Sequence, residues 1–533
     1  MTRSAVENIG FQLFEVVTRN FPVASTSDEF YYFPQVQPEF LIHNPWDRFN
    51  EDAISDTIKK LSAVERQVDL CIAGDPEHAA PDPEARIDLS LLQRVTRTLI
   101  EQLTEIRAWE TQPTLHLTIA CIGMAEAMDS QDPEIQHNRA QGLPDFFDNA
   151  GKVLKQVPVL FRDLGLEMID ATRNYLILLQ QKIPTLNTAL AALDRFEHTL
   201  LTVVTRSNFH LPVELVGRIV GFHLNCNQGL PEINQILDQE IHEMQATISN
   251  FSGSPARDLS RSTVFDKIPL PEIGKEGLLG LYRSEVSRLA KHCLDNGLIS
   301  PDLFRTCPVR VEPVPSYLSA IRSASSYSIP ARHPPIGGVF FVINAGQPEE
   351  FRKSYQREYR ILAAHETYPG HHLLDMHRWS LSDTIRRVVE RPLFYEGWAC
   401  FAEELLWLTG YLHTPADRLL LARRRLWRAI RGQVDLGLQT GRLDLPAAAR
   451  RLAETGMSAP DALSAVRKYP LNPGYQSCYT AGVRRFLDLY QRYGEINLPA
   501  FTAAILHQGE ISFEHLENVF ARRRRERSGT GIG

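Results

Sequence analysis

Histidines and acids crowd one short region of this 533-residue chain, and their side chains are the ones best suited to chemistry. The region spans residues 365–377 and holds four of the 17 histidines, with Glu366 among them. Two further acids, Glu396 and Glu403, follow in an apolar stretch. Imidazole and carboxylate groups are the usual nitrogen and oxygen ligands of zinc, and a carboxylate beside a zinc-bound water can accept its proton. The region therefore predicts a metal centre with its own general base.

The spacing of the histidines departs from the zinc signature H-E-x-x-H, because Pro369 stands where the second histidine is expected. A straight helix turns about 100° per residue, which would bring His372 rather than His371 back to the face of His365. A proline followed by a glycine breaks a helix, however. We expect one helix to end near Tyr368 and the next to start at His371. Spacing alone leaves His371 and His372 both open as the second ligand.

A third ligand is expected from the apolar segment that starts at Phe394. Glu396 and Glu403 are seven residues apart in this segment, so both would lie on one face of a helix. A buried carboxylate is costly unless it meets a cation or a metal. Both acids are therefore candidate ligands, and ion pairs with the arginines just before the helix are the alternative.

Composition and charge narrow the class of protein. A net charge of −7 is small for this length and argues against nucleic-acid binding, and the basic run at 522–527 is interpreted as a solvated helix end. The seven cysteines form no C-x-x-C pair, which is typical of a reducing compartment. No run approaches the roughly 20 apolar residues of a membrane span, and the N-terminus has no apolar run of signal length. We expect a cytoplasmic protein without membrane or nucleic-acid partners.

Helical periodicity dominates the chain and predicts a mainly α fold. The exceptions are residues 309–314 and 337–344, which alternate or are rich in β-branched and aromatic residues and predict a small β-sheet beside the histidines. A break rich in proline and serine at residues 251–271 suggests the boundary between two lobes. We expect an N-terminal helical lobe at 1–260 and a metal-binding lobe at 261–533, joined as one continuous unit.

Several sequence blocks in their order resemble one family. Residues 365–372 and 395–399, with later blocks at 428–431, 434–437 and 467–482, are similar to the DUF885 family, a group of bacterial proteins related to gluzincin metallopeptidases. The resemblance covers most of residues 85–520. It implies a large helical, gluzincin-like fold with a deep central cleft.

The resemblance also implies roles for individual residues. His365 and His371 match zinc ligands, and Glu396 matches the third ligand. Glu366 matches the general base. Glu403 then becomes a partner that positions a ligand, which leaves His372 and Glu403 as the less favoured ligand candidates.

A hydroxyl for the oxyanion is expected downstream of the metal ligands. Tyr479 matches the position from which related enzymes direct a hydroxyl at the tetrahedral oxyanion, Gln476 matches it more weakly, and Tyr469 is a second candidate. The strand at 337–344 is expected to lie beside the metal and to pair with an extended peptide substrate.

The chain departs from the family pattern at positions that bear on the substrate. Gln439 stands where the family usually has a histidine, and Phe340 and Phe341 stand where it usually has tyrosines. The expected function is zinc-dependent hydrolysis of amide or peptide bonds in short peptides or small amides. The alternatives are a metalloenzyme that acts on a specialised non-peptide metabolite and a non-catalytic helical protein that binds a ligand or partner. The sequence makes no prediction of the oligomeric state.

Overall fold

A computed structural model describes residues 3–36, 45–73, 82–252, 264–315, 325–343, 349–494 and 497–529. The predicted lobe boundary near residue 260 lies outside these described residues and stays a prediction. Among them, no helix is long and apolar enough to cross a membrane. All seven cysteines are free thiols.

Helices with buried apolar faces make up the N-terminal part. They are α1 (Arg3–Asn20), α2 (Glu51–Ala73), α3 (Pro83–Glu101), α4 (Ala108–Thr111), α5 (Pro113–Asp129), α6 (Pro133–Val153), α7 (Val159–Gln180) and α8 (Leu186–Thr202). Asp82 and Asp132 cap α3 and α6, and a proline follows each of them at the first helical position. An acceptor side chain and a proline there satisfy or remove the free N–H groups of a helix start. The apolar faces pack into one hydrophobic core.

Helices also dominate the C-terminal part. They are α9 (Val213–Arg218), α10 (Leu230–Ser252), α11 (Gly277–Asp295), α12 (Pro301–Thr306), α13 (Glu349–Arg357), α14 (Tyr359–Glu366), α15 (His371–Ser380), α16 (Thr384–Val388), α17 (Pro392–Leu408), α18 (Pro415–Gln439), α19 (Leu445–Ala453), α20 (Ala459–Lys468), α21 (Ser477–Tyr493), α22 (Leu498–Leu506) and α23 (Phe513–Gly529). Their apolar faces form a second core, except that Ile385 and Val388 of α16 pack into the first one. The prediction of a mainly α fold with a small sheet is confirmed.

Two small sheets interrupt the helices. The strands are β1 (Val157–Pro158), β2 (Thr205–Arg206), β3 (Val309–Pro313), β4 (Ser326–Ser328) and β5 (Gly338–Val342). β1 pairs with β2, and β5 lies between a parallel β3 and an antiparallel β4. The expectation that β5 pairs with a peptide substrate is wrong, because its neighbours already occupy both of its sides. The sequence did not predict β4, which has two serines around Tyr327 and is too short to show alternation.

Main-chain contact joins α17 to α21. A Cβ atom on Gly482 would lie 2.3 Å from the carbonyl oxygen of Leu393 and 2.5 Å from the Cα of Gly397. Neither distance leaves room for a side chain, so only glycine allows the two helices to approach this closely. The contact fixes the position of α17, which carries Glu396, against α21, which carries Tyr479.

Candidate metal centre

A sharp turn between α14 and α15 brings the two histidines together. α14 ends at Glu366, two residues earlier than expected, and α15 begins at His371 as expected. At Gly370 a Cβ atom would lie 2.0 Å from the carbonyl oxygen of His365, so the chain can double back there only through a glycine. The ring centroids of His365 and His371 end 4.8 Å apart.

The side chains of His365, His371 and Glu396 converge. One ligand atom from each lies within 4.8 Å of the others, and all three residues are buried. The Oε2 atom of Glu396 is 3.7 Å from Nε2 of His365 and 3.5 Å from Nε2 of His371.

Two buried polar atoms of this cluster have no hydrogen-bond partner, which shows whether a metal would fit there. Oε2 of Glu396 and Nδ1 of His371 are buried and have no hydrogen-bond partner. Buried polar atoms without partners are rare and costly, and a bound cation would satisfy the carboxylate oxygen. Two imidazoles and one carboxylate are also a donor set of catalytic zinc sites. The residues therefore fit a zinc ion.

A buried ion pair holds His365 from behind. Nδ1 of His365 lies 3.1 Å from Oε1 of Glu403 and 3.3 Å from Nη2 of Arg428. Arg428 in turn donates two hydrogen bonds to Glu403, of 2.6 and 2.7 Å. Because the carboxylate is an acceptor and is the nearer group, the ring proton stays on Nδ1. The lone pair of Nε2 then faces Glu396 and His371, which is how a carboxylate commonly orients a metal-binding histidine.

Tyrosines hold the other two side chains of the cluster. The hydroxyl of Tyr475 donates a 2.8 Å hydrogen bond to Oε1 of Glu396. The ring of Tyr395 stacks on His371, with centroids 4.1 Å apart, and its hydroxyl donates to Asp375. Each of the three converging side chains is therefore positioned by a residue outside the cluster.

The electrostatics of the pocket favour a cation. Burial by itself would lower the pKa of His365, but contacts with Cys400, Glu396 and Glu403 raise it well above its usual value. Burial would raise the pKa of Glu396, yet the nearby imidazoles of His365 and His371 hold it well below its usual value. Both shifts mean that the pocket stabilises positive charge between the carboxylates.

His372 does not face the cluster. Its Nδ1 atom lies 2.9 Å from the hydroxyl of Tyr327, and its Nε2 atom lies 3.0 Å from the carbonyl oxygen of Cys307. Burial lowers the pKa of His372 to about 3, so the ring is neutral. Its two contacts hold it on the side of α15 that faces β4. The structure thus places His371 at the cluster and His372 in the core.

Glu366 and Tyr479 lie beside the cluster. Burial raises the pKa of Glu366, and the histidines at 365 and 371 are the charges that lower it most. The ring of Tyr479 is stacked on His365, with centroids 6.4 Å apart and an interplanar angle of 19°. Burial and the nearby Glu396 raise the pKa of Tyr479 well above its usual value, so its hydroxyl stays protonated as a donor.

The other two predicted oxyanion residues contact an arginine instead. The Oε1 atom of Gln476 accepts a hydrogen bond from Arg431, and the guanidinium of Arg431 lies 5.8 Å from the ring centroid of Tyr469. The structure gives neither residue a contact with the three converging side chains.

Residues that the sequence did not single out complete the site. Tyr475 and Arg428 had no predicted role, although both lie in the blocks that resemble the family. The position of Arg428 offers a signal that could have found it. An arginine on the buried face of a helix needs an acid as its partner, and Glu403 was a buried acid without an assigned cation. Phe340 is fully buried against Tyr282, so the missing hydroxyl at this position changes the core and not an exposed substrate edge.

Glu403→Gln is expected to weaken zinc binding about 10- to 100-fold, because a neutral amide holds the Nδ1 proton of His365 less firmly and lowers the basicity of the ring. The dissociation constant is measured by competition with a chromogenic chelator. Glu404→Gln is the matched control, since Glu404 is also buried on α17 and forms ion pairs with Arg418 and Arg425 at 3.0 and 3.1 Å. An equal loss of affinity in both variants would show that the effect is general destabilisation.

The chain is similar to one sequence family and, in its fold, to several solved structures. The sequence model described as "Bacterial protein of unknown function (DUF885)" matches residues 226–519. A candidate lipoprotein of unknown function from Shewanella oneidensis has a similar fold at 16% identity, with a TM-score of 0.73 over 97% of this chain and 98% of that chain. A candidate lipoprotein from Colwellia psychrerythraea gives 16% identity and a TM-score of 0.75 over 98% and 99% of the two chains. Such likeness shows the fold alone.

An M32 carboxypeptidase from Deinococcus radiodurans R1 aligns at 12% identity and a TM-score of 0.40 over 97% of this chain and 90% of that chain, which is too low to carry an argument. No curated protein matches the sequence.

Proposed function

The chain belongs to the DUF885 family, and we propose that it is a zinc-dependent hydrolase that cleaves amide or peptide bonds in short peptides or small amides. The observation that supports this most is the convergence of His365, His371 and Glu396 around buried polar atoms that have no partner. A non-catalytic protein would have no need for a further buried acid, Glu366, beside such a cluster.

The side chains divide the work of hydrolysis. His365, His371 and Glu396 would hold the zinc, with Glu403 and Tyr475 keeping two of them in place. A zinc ion held there supplies Lewis acidity and lowers the pKa of water toward about 7. Glu366 accepts the proton of the attacking water and passes it to the leaving amine, a task suited to a carboxylate whose pKa is raised by burial. Tyr479 donates its hydroxyl to the oxyanion that forms on the substrate carbonyl.

A cavity supports a small substrate. It has a volume of about 300 Å³ and lies between α5, α7 and the segment that follows α20. Tyr31 lines the cavity and contacts Tyr475 with its ring tilted by 48° and the centroids 5.8 Å apart, and Tyr475 donates a hydrogen bond to Glu396. The cavity is at the small end of the range for ligand pockets and is lined by none of His365, His371 and Glu396, so it supports a small substrate only as a space beside the candidate centre.

Metal content and hydrolysis test the proposal together. We expect purified protein to carry about one zinc ion per chain and to cleave members of a panel of dipeptides and blocked short peptides. Removal of the zinc with a chelator should stop cleavage, and added zinc should restore it. Protein that binds no zinc would overturn the proposal. Zinc-bound protein that cleaves no peptide or amide would favour a non-peptide substrate instead.

The expected cytoplasmic location stays a prediction. The two proteins of similar fold are described as candidate lipoproteins, and that description applies to them and not to this chain.

A further inference from the structure

One arginine of α18 differs from the others. The helix carries six arginines, and five of them form ion pairs with buried or half-buried acids: Arg418 with Glu404, Arg423 and Arg424 with Glu358, Arg425 with Glu240, and Arg428 with Glu403. The sixth is Arg431. No acid among the described residues lies within ion-pair distance of its guanidinium.

Aromatic rings surround Arg431 in place of an acid. Its guanidinium carbon lies 4.3 Å from the ring centroid of Trp427, 5.0 Å from that of Tyr479 and 5.8 Å from that of Tyr469. The guanidinium donates hydrogen bonds to the neutral side chains of Gln476 and Tyr469, and its buried Nε has no partner. Arg431 is half-buried. Cation–π contacts compensate part of the cost of such a cation, and a guanidinium shielded from water normally also meets an anion.

The nearest acid along the helix does not fill this role. Asp435 lies one turn after Arg431, and its Oδ2 atom accepts the backbone N–H of Gln476 at 3.1 Å. Burial raises the pKa of Asp435 to about 7, although the charge of Arg431 acts against that rise, and the two side chains form no ion pair. Apart from its contacts with Gln476 and Tyr469, the guanidinium therefore has no anion within ion-pair distance among the described residues.

The ring of Tyr479 lies between Arg431 and the candidate metal centre. Tyr479 stacks on His365 and also faces the guanidinium of Arg431. An anion bound by Arg431 would thus lie close to a bond held at the metal. The planar fork of a guanidinium matches the two oxygens of a carboxylate, and the aromatic walls hold the fork in one orientation.

We infer that Arg431 binds a free C-terminal carboxylate of the substrate, so that the enzyme cleaves a bond near the carboxyl end of a peptide or of an acylated amino acid. This inference rests on the proposed zinc-dependent hydrolysis and adds the group by which the substrate is recognised.

Binding of matched probes tests the inference without turnover. The protein carries Glu366→Gln to prevent cleavage, and a panel of N-acetylated dipeptides without acidic side chains is titrated by calorimetry, each as the free acid and as the C-terminal amide. We expect the acids to bind about 10- to 100-fold more tightly than the amides, the range for hydrogen bonds to a charged group. A second panel of amidated peptides with a glutamate side chain distinguishes a side-chain carboxylate from a C-terminal one.

Variants of Arg431 show whether this residue causes the preference for the free acid over the amide. Arg431→Gln should reduce the acid-to-amide ratio to within about threefold, and Arg431→Lys should give an intermediate ratio because it keeps the charge but loses the fork. Arg418→Gln is the control, since Arg418 lies on the same helix and pairs with Glu404. Its ratio should match that of the parent protein, and circular dichroism checks that each variant is folded.

Three binding results would overturn the inference. They are equal binding of acids and amides before any change at Arg431, an unchanged ratio in Arg431→Gln, and a preference for side-chain carboxylates over C-terminal ones. The proposed hydrolysis is judged separately. Wild-type protein that cleaves amidated peptides as fast as free acids would keep the hydrolase and exclude the role of Arg431.

Discussion

Glu396→Ala is expected to leave the protein without zinc and without hydrolytic activity. Glu396 is the single carboxylate of the converging cluster, and its removal leaves two imidazoles as the ligand set. Loss of a ligand costs more than the 10- to 100-fold that follows the loss of an orienting partner, so we expect activity to fall by roughly 10³-fold or more. Elemental analysis after dialysis measures the zinc, and hydrolysis of the best peptide of the panel measures the activity.

The control for Glu396→Ala is Glu454→Ala. Glu454 is an acid near the surface, where it pairs with Arg451. This variant should keep both its zinc and its activity. Full zinc occupancy in Glu396→Ala, with the fold intact by circular dichroism, would place the metal elsewhere in the protein.

Glu366→Gln is expected to separate metal binding from catalysis. The amide has nearly the shape of the carboxylate but cannot accept the proton of the attacking water, and loss of a general base costs about 10²- to 10⁴-fold in rate. Because Glu366 is not one of the converging ligands, zinc should stay bound at about one ion per chain. Steady-state kinetics and elemental analysis on the same preparation measure the two quantities.

Tyr475→Phe provides the contrasting variant for Glu366→Gln. It removes the hydroxyl that holds Oε1 of Glu396, so we expect a weaker affinity for zinc but substantial turnover when zinc is in excess. Normal turnover by zinc-bound Glu366→Gln would remove this residue from the role of general base.

Local chemistry explains which features were predictable. Pro369 and the glycine after it act on their own backbone, so the sequence predicted both the break in the helix and the restart at His371. The apolar surroundings of Glu396 and Glu403 predicted buried acids on one helix face, and both acids are buried on α17. The helical periodicity of most segments likewise reflects local burial.

Contacts between distant segments explain the rest. The hydroxyl of Tyr327 and the carbonyl of Cys307 occupy the ring nitrogens of His372, and no spacing in the histidine region indicates either partner. Tyr475 reaches Glu396 across 79 residues of sequence. The central place of β5 in its sheet depends on β4, whose short serine-rich sequence carries no strand signal.

The contact between Gly397 and Gly482 limits which substitutions this chain can tolerate near the candidate centre. Because the two helices meet through their main chains, no side chain lies between them whose exchange could widen or narrow the gap. Mutations elsewhere in the surrounding core can therefore accumulate without changing the reach from Glu396 to the tyrosines at the start of α21. The spacing between α17 and α21 therefore depends on two residues that have no side chain.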